Sequence, residues 1–254
     1  MSAPAEQKVL VFGATSAIAA EAVYLYAARG DRLHLVGRNR EKLDAVTKQA
    51  RISARAPITT RQADLGDLDA NEALVAECLE ELGGVDVVLI AHGDLGDQLA
   101  TERSFAAAHD VLKTNLLSVV SLLIPLANAM EAARHGKIGV ITSVAAERGR
   151  PRNFTYGAAK GALNVYCQGL RSRLYPAGVT VTTLKVGPTD TPMTKDHAKN
   201  PFFATPQLVA RCSVRAIDAG EGDTFVPARW SAIMPIVKNT PEAVFQKLSF
   251  LSGR

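Results

Sequence analysis

Residues 9–20 read VLVFGATSAIAA, in which an apolar strand leads into a turn of small residues and then an alanine-rich helix. This order is typical of the start of a dinucleotide-binding site, where backbone N–H groups at a helix N-terminus bind phosphate. Such turns usually carry three glycines, but this one has only Gly13. The stretch predicts an α/β fold and leaves open whether its nucleotide site is intact.

The rest of the chain repeats this alternation of apolar strand and helix. Strand-like runs include DRLHLVG, VDVVLIAHG, GKIGVITS and VTVTTLKVG, and we expect helices over residues 99–134 and from Phe154 to Tyr175. Strands that are apolar on both faces indicate a parallel sheet with helices on both sides. We therefore expect a single doubly wound Rossmann domain of about seven strands. Residues 1–228 form its catalytic part, and residues 229–254 form an amphipathic C-terminal tail of the same domain.

Composition excludes several classes of protein. The net charge is +4, and most of it lies in the tail, so the nearly neutral body argues against nucleic-acid binding. Cys78, Cys167 and Cys212 are far apart, which disfavours both a disulfide framework and a metal site. The stretch SVVSLLIPLANAM looks too short to span a bilayer and contains Pro125, and no signal core precedes the first strand. We expect a soluble, cytoplasmic protein.

Three residues carry the strongest chemical signal. Ser143 ends the strand GKIGVITS, while Tyr156 and Lys160 lie four residues apart, on one face of the following helix. A lysine ammonium about 4 Å from a phenol contributes roughly 4 kcal/mol at an effective dielectric of about 20. That would lower the tyrosine pKa by about three units, close to neutrality, where proton transfer is most efficient. Ser143 could then donate to an oxygen that gains charge.

With these three residues, the chain resembles the short-chain dehydrogenase/reductase family over nearly its whole length. Asn115 in KTNLLSVV matches the family's helix asparagine, and VGPTDTPM matches the turn beside the nicotinamide. The resemblance implies that Tyr156 is the proton donor, Ser143 the oxyanion partner and Lys160 the group that binds the cofactor ribose. Asn115 would hold a water beside Lys160.

The cofactor expected at this site is NADP(H), with NAD(H) as the alternative. The second strand ends in Gly37 and Arg38, which offer a guanidinium for a 2′-phosphate where an NAD site needs an acid. By resemblance, Asp64 lies beside the adenine. The full cofactor-binding set comprises Gly13, Thr15, Ser16, Ala17, Ile18, Arg38, Asp64, Leu65, Ala91, His92, Gly93, Tyr156, Lys160, Gly187, Thr189 and Thr191.

The chain departs from the family pattern at several positions. Phe12 replaces a threonine, and Ala17 and Ala19 replace two glycines of the first turn, which predicts weaker cofactor binding rather than lost function. AHG replaces the family's N-A-G, and here we expect His92 to be a packed or ribose-adjacent residue. Val186 replaces the proline of the Pro-Gly turn.

A narrower resemblance concerns the substrate. The stretches AHGDLGD, AAERGRPRNFTYGAAKGAL and VPARWSAIMPIVKNTPEAVFQKL are similar to decaprenylphosphoryl keto-ribose reductases. This implies a ketone on a pentose carried by a polyprenyl phosphate. The basic tail would then contact lipid at a membrane surface, although packing on the domain or on a second subunit is the favoured alternative. The loop DTPMTKDHAKNPFFA, with Lys195, His197, Phe202 and Phe203, would close over the substrate.

Together these features predict an NADPH-dependent carbonyl reductase that acts on a small-molecule ketone or alcohol. Two alternatives remain, a sugar-nucleotide epimerase and a non-catalytic NADP-binding regulator. Epimerases of this type usually have a longer C-terminal region, and a regulator would not need all of Asn115, Ser143, Tyr156 and Lys160. By resemblance, we also expect a homo-oligomer, either a dimer or a tetramer.

Overall fold

The expected strands assemble into one sheet in the computed structural model, which describes residues 6–195 and 199–248. The strands are β1 Lys8–Phe12, β2 Arg32–Gly37, β3 Ile58–Gln62, β4 Val87–Ile90, β5 Lys137–Ser143, β6 Thr180–Val186 and β7 Asp223–Val226. All neighbours pair in parallel, in the order β3-β2-β1-β4-β5-β6-β7. The strand order reverses between β1 and β4, and in sheets of this kind ligands bind at that point, beyond the carboxyl ends of the strands. The predicted doubly wound α/β fold is confirmed.

Helices connect the strands, and local sequence signals explain where two of them start. The helices are α1 Ala17–Arg29, α2 Arg40–Ala50, α3 Asn71–Leu82, α4 Gln98–Thr101, α5 Phe105–Leu112, α6 Ser118–Ala133, α7 Phe154–Leu174, α8 Pro206–Ala219, α9 Trp230–Asn239 and α10 Glu242–Phe245. Ser16 Oγ accepts the N–H of Ala19 at 3.3 Å, and Thr205 Oγ1 accepts the N–H of Leu208 at 3.3 Å. Each hydroxyl satisfies a backbone donor that the first helical turn leaves free.

The core forms one layer on each face of the sheet. Successive residues of β1 point to opposite faces, so that Leu10 and Phe12 pack in one layer and Val9 and Val11 in the other. The first layer includes buried residues of α3, α6 and α7, and the second includes those of α1, α2 and α8. Burial on both faces explains why the strands read as continuous apolar runs.

The region expected to be one helix over residues 99–134 has a different local structure. The helix breaks between α4 and α5, where Ser104 begins α5 by accepting the N–H of Ala107. A π-helical turn, Lys113–Leu117, then joins α5 to α6. The continuous stretch Phe105–Ala133, which contains SVVSLLIPLANAM, has 29 residues and is long and apolar enough to cross a membrane by length and composition alone. Its inner face lies in the first core layer, which makes it a core helix of this domain.

The described part of the tail packs onto the domain. Trp230, Met234, Val237 and Phe245 form a buried cluster with Val144, the residue directly after β5. This contact is the arrangement favoured from the sequence over lipid contact. It also places α9 beside the carboxyl ends of β5 and β6, the edge at which ligands bind in such sheets.

Candidate active site

Ser143 and Tyr156 are brought together by a close contact between the loop after β5 and helix α7. Ser143 is the last residue of β5, and residues 144–153, which we call the catalytic loop, connect it to α7. A β-carbon at Gly157 would lie 2.8 Å from the carbonyl oxygen of Ala145, so only glycine lets α7 approach this closely. Ser143 Oγ accepts the N–H of Ala145 at 3.1 Å, which fixes its hydroxyl beside the start of α7.

Tyr156 differs from the sequence expectation in its acidity. Burial raises the pKa of Tyr156 to about 12, and a hydrogen bond with Ser143 opposes that rise without reversing it. The ammonium of Lys160 lies 5.9 Å from the centre of the Tyr156 ring. The predicted fall of the tyrosine pKa to near neutrality is not found, because desolvation is the largest influence on this pKa and raises it.

Lys160 occupies an unusually dry position for a lysine. Its side chain is 2% exposed, and Nζ donates to the carbonyl of Ile141 at 3.2 Å. Desolvation lowers the pKa of Lys160 to about 8. Such a group stays charged at neutral pH only at a cost in stability, which is typical of functional sites.

Asn115 lies inside the π-helical turn and is fully buried. Its Nδ2 donates to the carbonyls of Asp94 at 2.7 Å and Val111 at 2.9 Å, and its Oδ1 accepts the N–H of Asp94 at 3.1 Å. The side chain thus ties the π turn to the segment that follows β4, and Asn115 is not a surface amide. π turns often occur at functional sites, and this one positions the segment beside Lys160.

The nucleotide turn, residues 13–16, depends on its one glycine. Gly13 has φ +74°, and a β-carbon there would lie 2.6 Å from the backbone nitrogen of His92. The N–H groups of Gly13 and Ala14 both donate to the carbonyl of Val36 at 3.0 Å. Gly13 therefore lets β1, β2 and the segment after β4 meet at one point.

Alanine replaces glycine at two positions of α1 without strain. Ala17 and Ala19 are helical, and among the described residues Arg134 is the only non-glycine with positive φ. Ala19 is fully buried in the second core layer, whereas Ala17 and Ile18 in the first helical turn are partly exposed. Helical φ values are negative, a conformation that alanine adopts without strain.

The end of β2 places an exposed cation next to a buried glycine. Gly37 faces Thr15, whose Cγ2 would lie 3.1 Å from a β-carbon there, and Arg38 is exposed. Within the described residues, no acidic side chain forms an ion pair with Arg38. Asp64 accepts the N–H of Gly66 at 3.0 Å, and Leu65 is buried beneath this turn.

The segment after β4 contains Ala91, His92 and Gly93. His92 is half-buried, its Nε2 is 2.8 Å from Ser118 Oγ, and desolvation together with the Lys160 charge lowers its pKa to about 3. This position is compatible with either expected role for His92, a packed residue or one next to the ribose. Gly93 contacts both Asn115 and Lys160, so this segment lies between the nucleotide turn and the catalytic residues.

The turn after β6 contacts Trp230 of the tail, a residue that the sequence did not identify as part of the site. A β-carbon at Gly187 would lie 1.9 Å from Trp230 Nε1, so the indole ring fills the space a side chain would need. Thr189 Oγ1 donates to the carbonyl of Gly187 at 3.0 Å, and Thr191 starts a short 3₁₀ turn. Of the loop residues expected to cover the substrate, Phe202 contacts Trp230 with 5.9 Å between ring centres, and His197 lies outside the described residues.

Arg150 is a second residue that sequence reasoning missed. It lies in the catalytic loop, and its Nη2 is 3.9 Å from Met234 Sδ in α9. The available sequence signals were an arginine between the catalytic serine and tyrosine, and a lone tryptophan in the tail. Neither signal shows that the two segments meet, because their contact depends on the packing of α9.

The arrangement fits a bound dinucleotide. A β-carbon at Gly13 would fill the turn, α1 starts directly behind it, and Arg38 is exposed at the end of β2. A helix N-terminus and a cation are the groups that bind phosphates. Ser143, Tyr156 and Lys160 follow along the same edge of the sheet.

Known proteins have similar sequences and the same fold. Residues 7–201 match the model of the short chain dehydrogenase family. The uncharacterized oxidoreductase Rv2073c of Mycobacterium tuberculosis is 32% identical over 240 residues, covering 94% of this chain and 96% of that protein.

Two solved structures have the same fold. Levodione reductase is 23% identical with a TM-score of 0.81, covering 89% of this chain and 98% of its own. The actinorhodin polyketide ketoreductase, solved with NADPH, is 24% identical with a TM-score of 0.79, covering 92% of this chain and 98% of its own. The family match and the close relative, together with the site, show that this chain belongs to the short-chain dehydrogenase family of oxidoreductases.

Proposed function

We propose that this protein is an NADPH-dependent carbonyl reductase that interconverts a small-molecule ketone and its alcohol. The observation that carries the proposal is the position of Ser143, Tyr156 and Lys160 at the carboxyl edge of the sheet, in line with the nucleotide turn. Carbonyl reduction needs a hydride donor beside the carbonyl carbon and an acid within hydrogen-bond distance of the carbonyl oxygen. A nicotinamide bound along this edge would supply the hydride, and Tyr156 would supply the acid.

When bound, NADPH would supply the hydride that the carbonyl carbon accepts. In the direction of reduction, Tyr156 gives its hydroxyl proton to the carbonyl oxygen, and with a pKa of about 12 it carries that proton at neutral pH. Ser143 Oγ donates a hydrogen bond to the same oxygen as negative charge develops there. Lys160 keeps a positive charge nearby and stabilises the phenolate that remains.

NADPH is the proposed cofactor because of Arg38. A guanidinium can bind a 2′-phosphate through two charge-assisted hydrogen bonds, and the strand end lacks the acidic side chain that would favour a free 2′-hydroxyl. NAD(H) would bind through the same turn with fewer contacts. We propose Gly13, Thr15, Ser16, Asp64, Gly187 and Thr191 as the surrounding cofactor contacts.

The narrower substrate we propose is a keto-sugar carried on a polyprenyl phosphate. Support comes from the sequence stretches around His92, Tyr156 and Trp230, which in this fold border one region at the carboxyl ends of the strands. The protein would act as a homo-oligomer in the cytoplasm.

The experiment that tests the function is Tyr156→Phe. We expect kcat for NADPH-dependent ketone reduction to fall by about 10³-fold, because the acid is lost. Cofactor affinity, followed by NADPH fluorescence, should stay within a few fold. Substrates are first found by an NADPH-oxidation screen over keto-sugars, ketosteroids, quinones and acyl ketones.

Tyr175→Phe is the matched control, since Tyr175 follows α7 on the surface and is 80% exposed. It should retain full activity. Full turnover in Tyr156→Phe would overturn the mechanism, and NADPH binding without turnover across the whole panel would favour the regulator alternative.

A further inference from the structure

The buried indole of Trp230 has a hydrogen-bond donor with no acceptor. Trp230 is 7% exposed, and Nε1 has no partner among the described residues. Its ring lies against Gly187, in the turn after β6, and contacts Phe202. A buried N–H usually finds an acceptor, because leaving it unpaired costs the energy of desolvating it.

Arg150 presents a second unpaired donor on the same side of the protein. Its Nε is buried without a partner, and its Nη2 reaches only the thioether of Met234. Burial lowers the pKa of the guanidinium, and in the described chain no carboxylate forms an ion pair with it. A largely buried arginine without an anion is costly, so such a group indicates an anionic partner.

The neighbouring arginine shows how the same loop satisfies a structural cation. Arg148 donates to the carbonyls of Val237 and Thr240 and pairs with Glu242 at 2.6 Å. It therefore fastens the catalytic loop to the end of α9 with all its charge balanced. Arg150 has none of these contacts, so structural anchoring does not account for it.

The two unpaired donors lie close to one stretch of α9. Trp230 and Met234 are one helical turn apart and belong to one buried cluster, which also contains Val144. Arg150 contacts Met234, and Trp230 contacts Gly187. Both donors are therefore next to the ends of β5 and β6, where Ser143 presents the proposed oxyanion contact.

We propose that Arg150 and Trp230 form a subsite for an anionic oxygen group, a phosphate or a carboxylate, on the ketone substrate. The inference rests on the proposed reductase function and adds the residues that would bind the anionic group of the substrate. Arg150 supplies the charge, and the Trp230 N–H donates to an oxygen of the same group or of its ester linkage. The tail thereby contributes to substrate recognition.

The fluorescence of Trp230 provides a direct test, because it is the only tryptophan in the chain. Hexyl phosphate, hexanoate and hexanol are titrated into the full-length protein, first alone and then saturated with NADP⁺. We expect a saturable change in tryptophan emission with at least one anion and none with hexanol. The preferred anion tells a phosphate-bearing substrate from a carboxylate-bearing one.

Variants of the catalytic loop make the test specific. Arg150→Leu should weaken binding of the anion at least tenfold, and Arg150→Lys should recover part of the affinity. Arg152→Leu is the matched control, two residues away on the exposed side of the same loop, and should bind as wild type does. Equal binding by Arg150→Leu, or an equal response to hexanol, would overturn the subsite. So would the absence of any response to either anion.

Kinetics separate this inference from the proposed function. With a ketone substrate and its phosphorylated form, Arg150→Leu should raise KM for the phosphorylated form at least tenfold and leave kcat within threefold. Tyr156→Phe should lose kcat while still binding hexyl phosphate. If Tyr156→Phe is inactive but Arg150→Leu binds the anion normally, the subsite alone is refuted. If Tyr156→Phe is fully active but Arg150→Leu loses anion binding, the reductase mechanism alone is refuted.

Discussion

At the turn after β1, the groups that face the proposed cofactor are mostly backbone, whereas after β5 they are side chains. Gly13 carries the turn by its conformation, and Ala17 and Ala19 replace glycine there without leaving helical φ. On the other side, Ser143, Tyr156 and Lys160 each contribute a specific polar atom, and Gly157 sets their approach. Backbone contacts tolerate changes of side chain as long as φ is kept, while chemistry at a side-chain atom does not.

Among substitutions that test this comparison, Lys160→Met should have the largest effect. Activity should fall at least 100-fold, because the charge that stabilises the phenolate is lost. The free energy of unfolding at neutral pH should rise by up to about 3 kcal/mol, since a buried ammonium whose pKa is lowered from 10.5 to about 8 destabilises the native state. Steady-state kinetics and urea unfolding check the two parts, and a variant that loses both activity and stability would contradict the prediction.

The same lysine predicts the dependence of stability on pH. Between about pH 8 and 10.5 the unfolded chain holds the Lys160 proton and the native state does not, so the wild-type free energy of unfolding should rise with pH. Lys160→Met should lack this contribution. The difference between the two stability profiles gives the contribution of Lys160 separately from that of Tyr156. The raised pKa of Tyr156 makes the free energy of unfolding fall, not rise, with pH above about pH 10. Parallel profiles for the two proteins would show that Lys160 is not desolvated.

The next effect concerns the nucleotide turn. Gly13→Ala should lower the free energy of unfolding by about 1–3 kcal/mol and weaken NADPH binding, because the new β-carbon would meet the backbone at His92. Ala17→Gly, the matched change in the other direction, should cost less than about 1 kcal/mol. Thermal unfolding and NADPH titration test both variants. Normal stability in Gly13→Ala would show that the turn adapts.

The narrowest effect is expected at Arg38, which is exposed, because it concerns cofactor preference alone and not the fold. Arg38→Asp should lower the NADPH-to-NADH ratio of kcat/KM at least tenfold, through the loss of about 1.5–3 kcal/mol of charge-assisted contact. Arg55→Asp, which adds the same charge change at the opposite edge of the sheet, should leave that ratio unchanged. The proposed preference would be refuted if the wild type used NADH and NADPH equally well and Arg38→Asp did not change that ratio.

The sequence by itself determined the order of strands and helices, the parallel sheet and the family. These depend on short-range signals: apolar runs, the Gly13 turn, and the four-residue spacing of Tyr156 and Lys160. It also predicts that His92 is a packed or ribose-adjacent residue, and in the structure the ring is half-buried with a lowered pKa.

Only the tertiary structure decided the π turn around Asn115, the raised pKa of Tyr156 and the place of the tail. A pKa depends on how much water the surrounding protein removes, and that is set by segments far apart in the chain. The same reason applies to Arg150, which contacts α9, and to Trp230 of α9, which contacts the turn after β6. More than 70 residues separate Arg150 from Trp230 in the sequence. Their approach follows from packing, which local patterns do not encode.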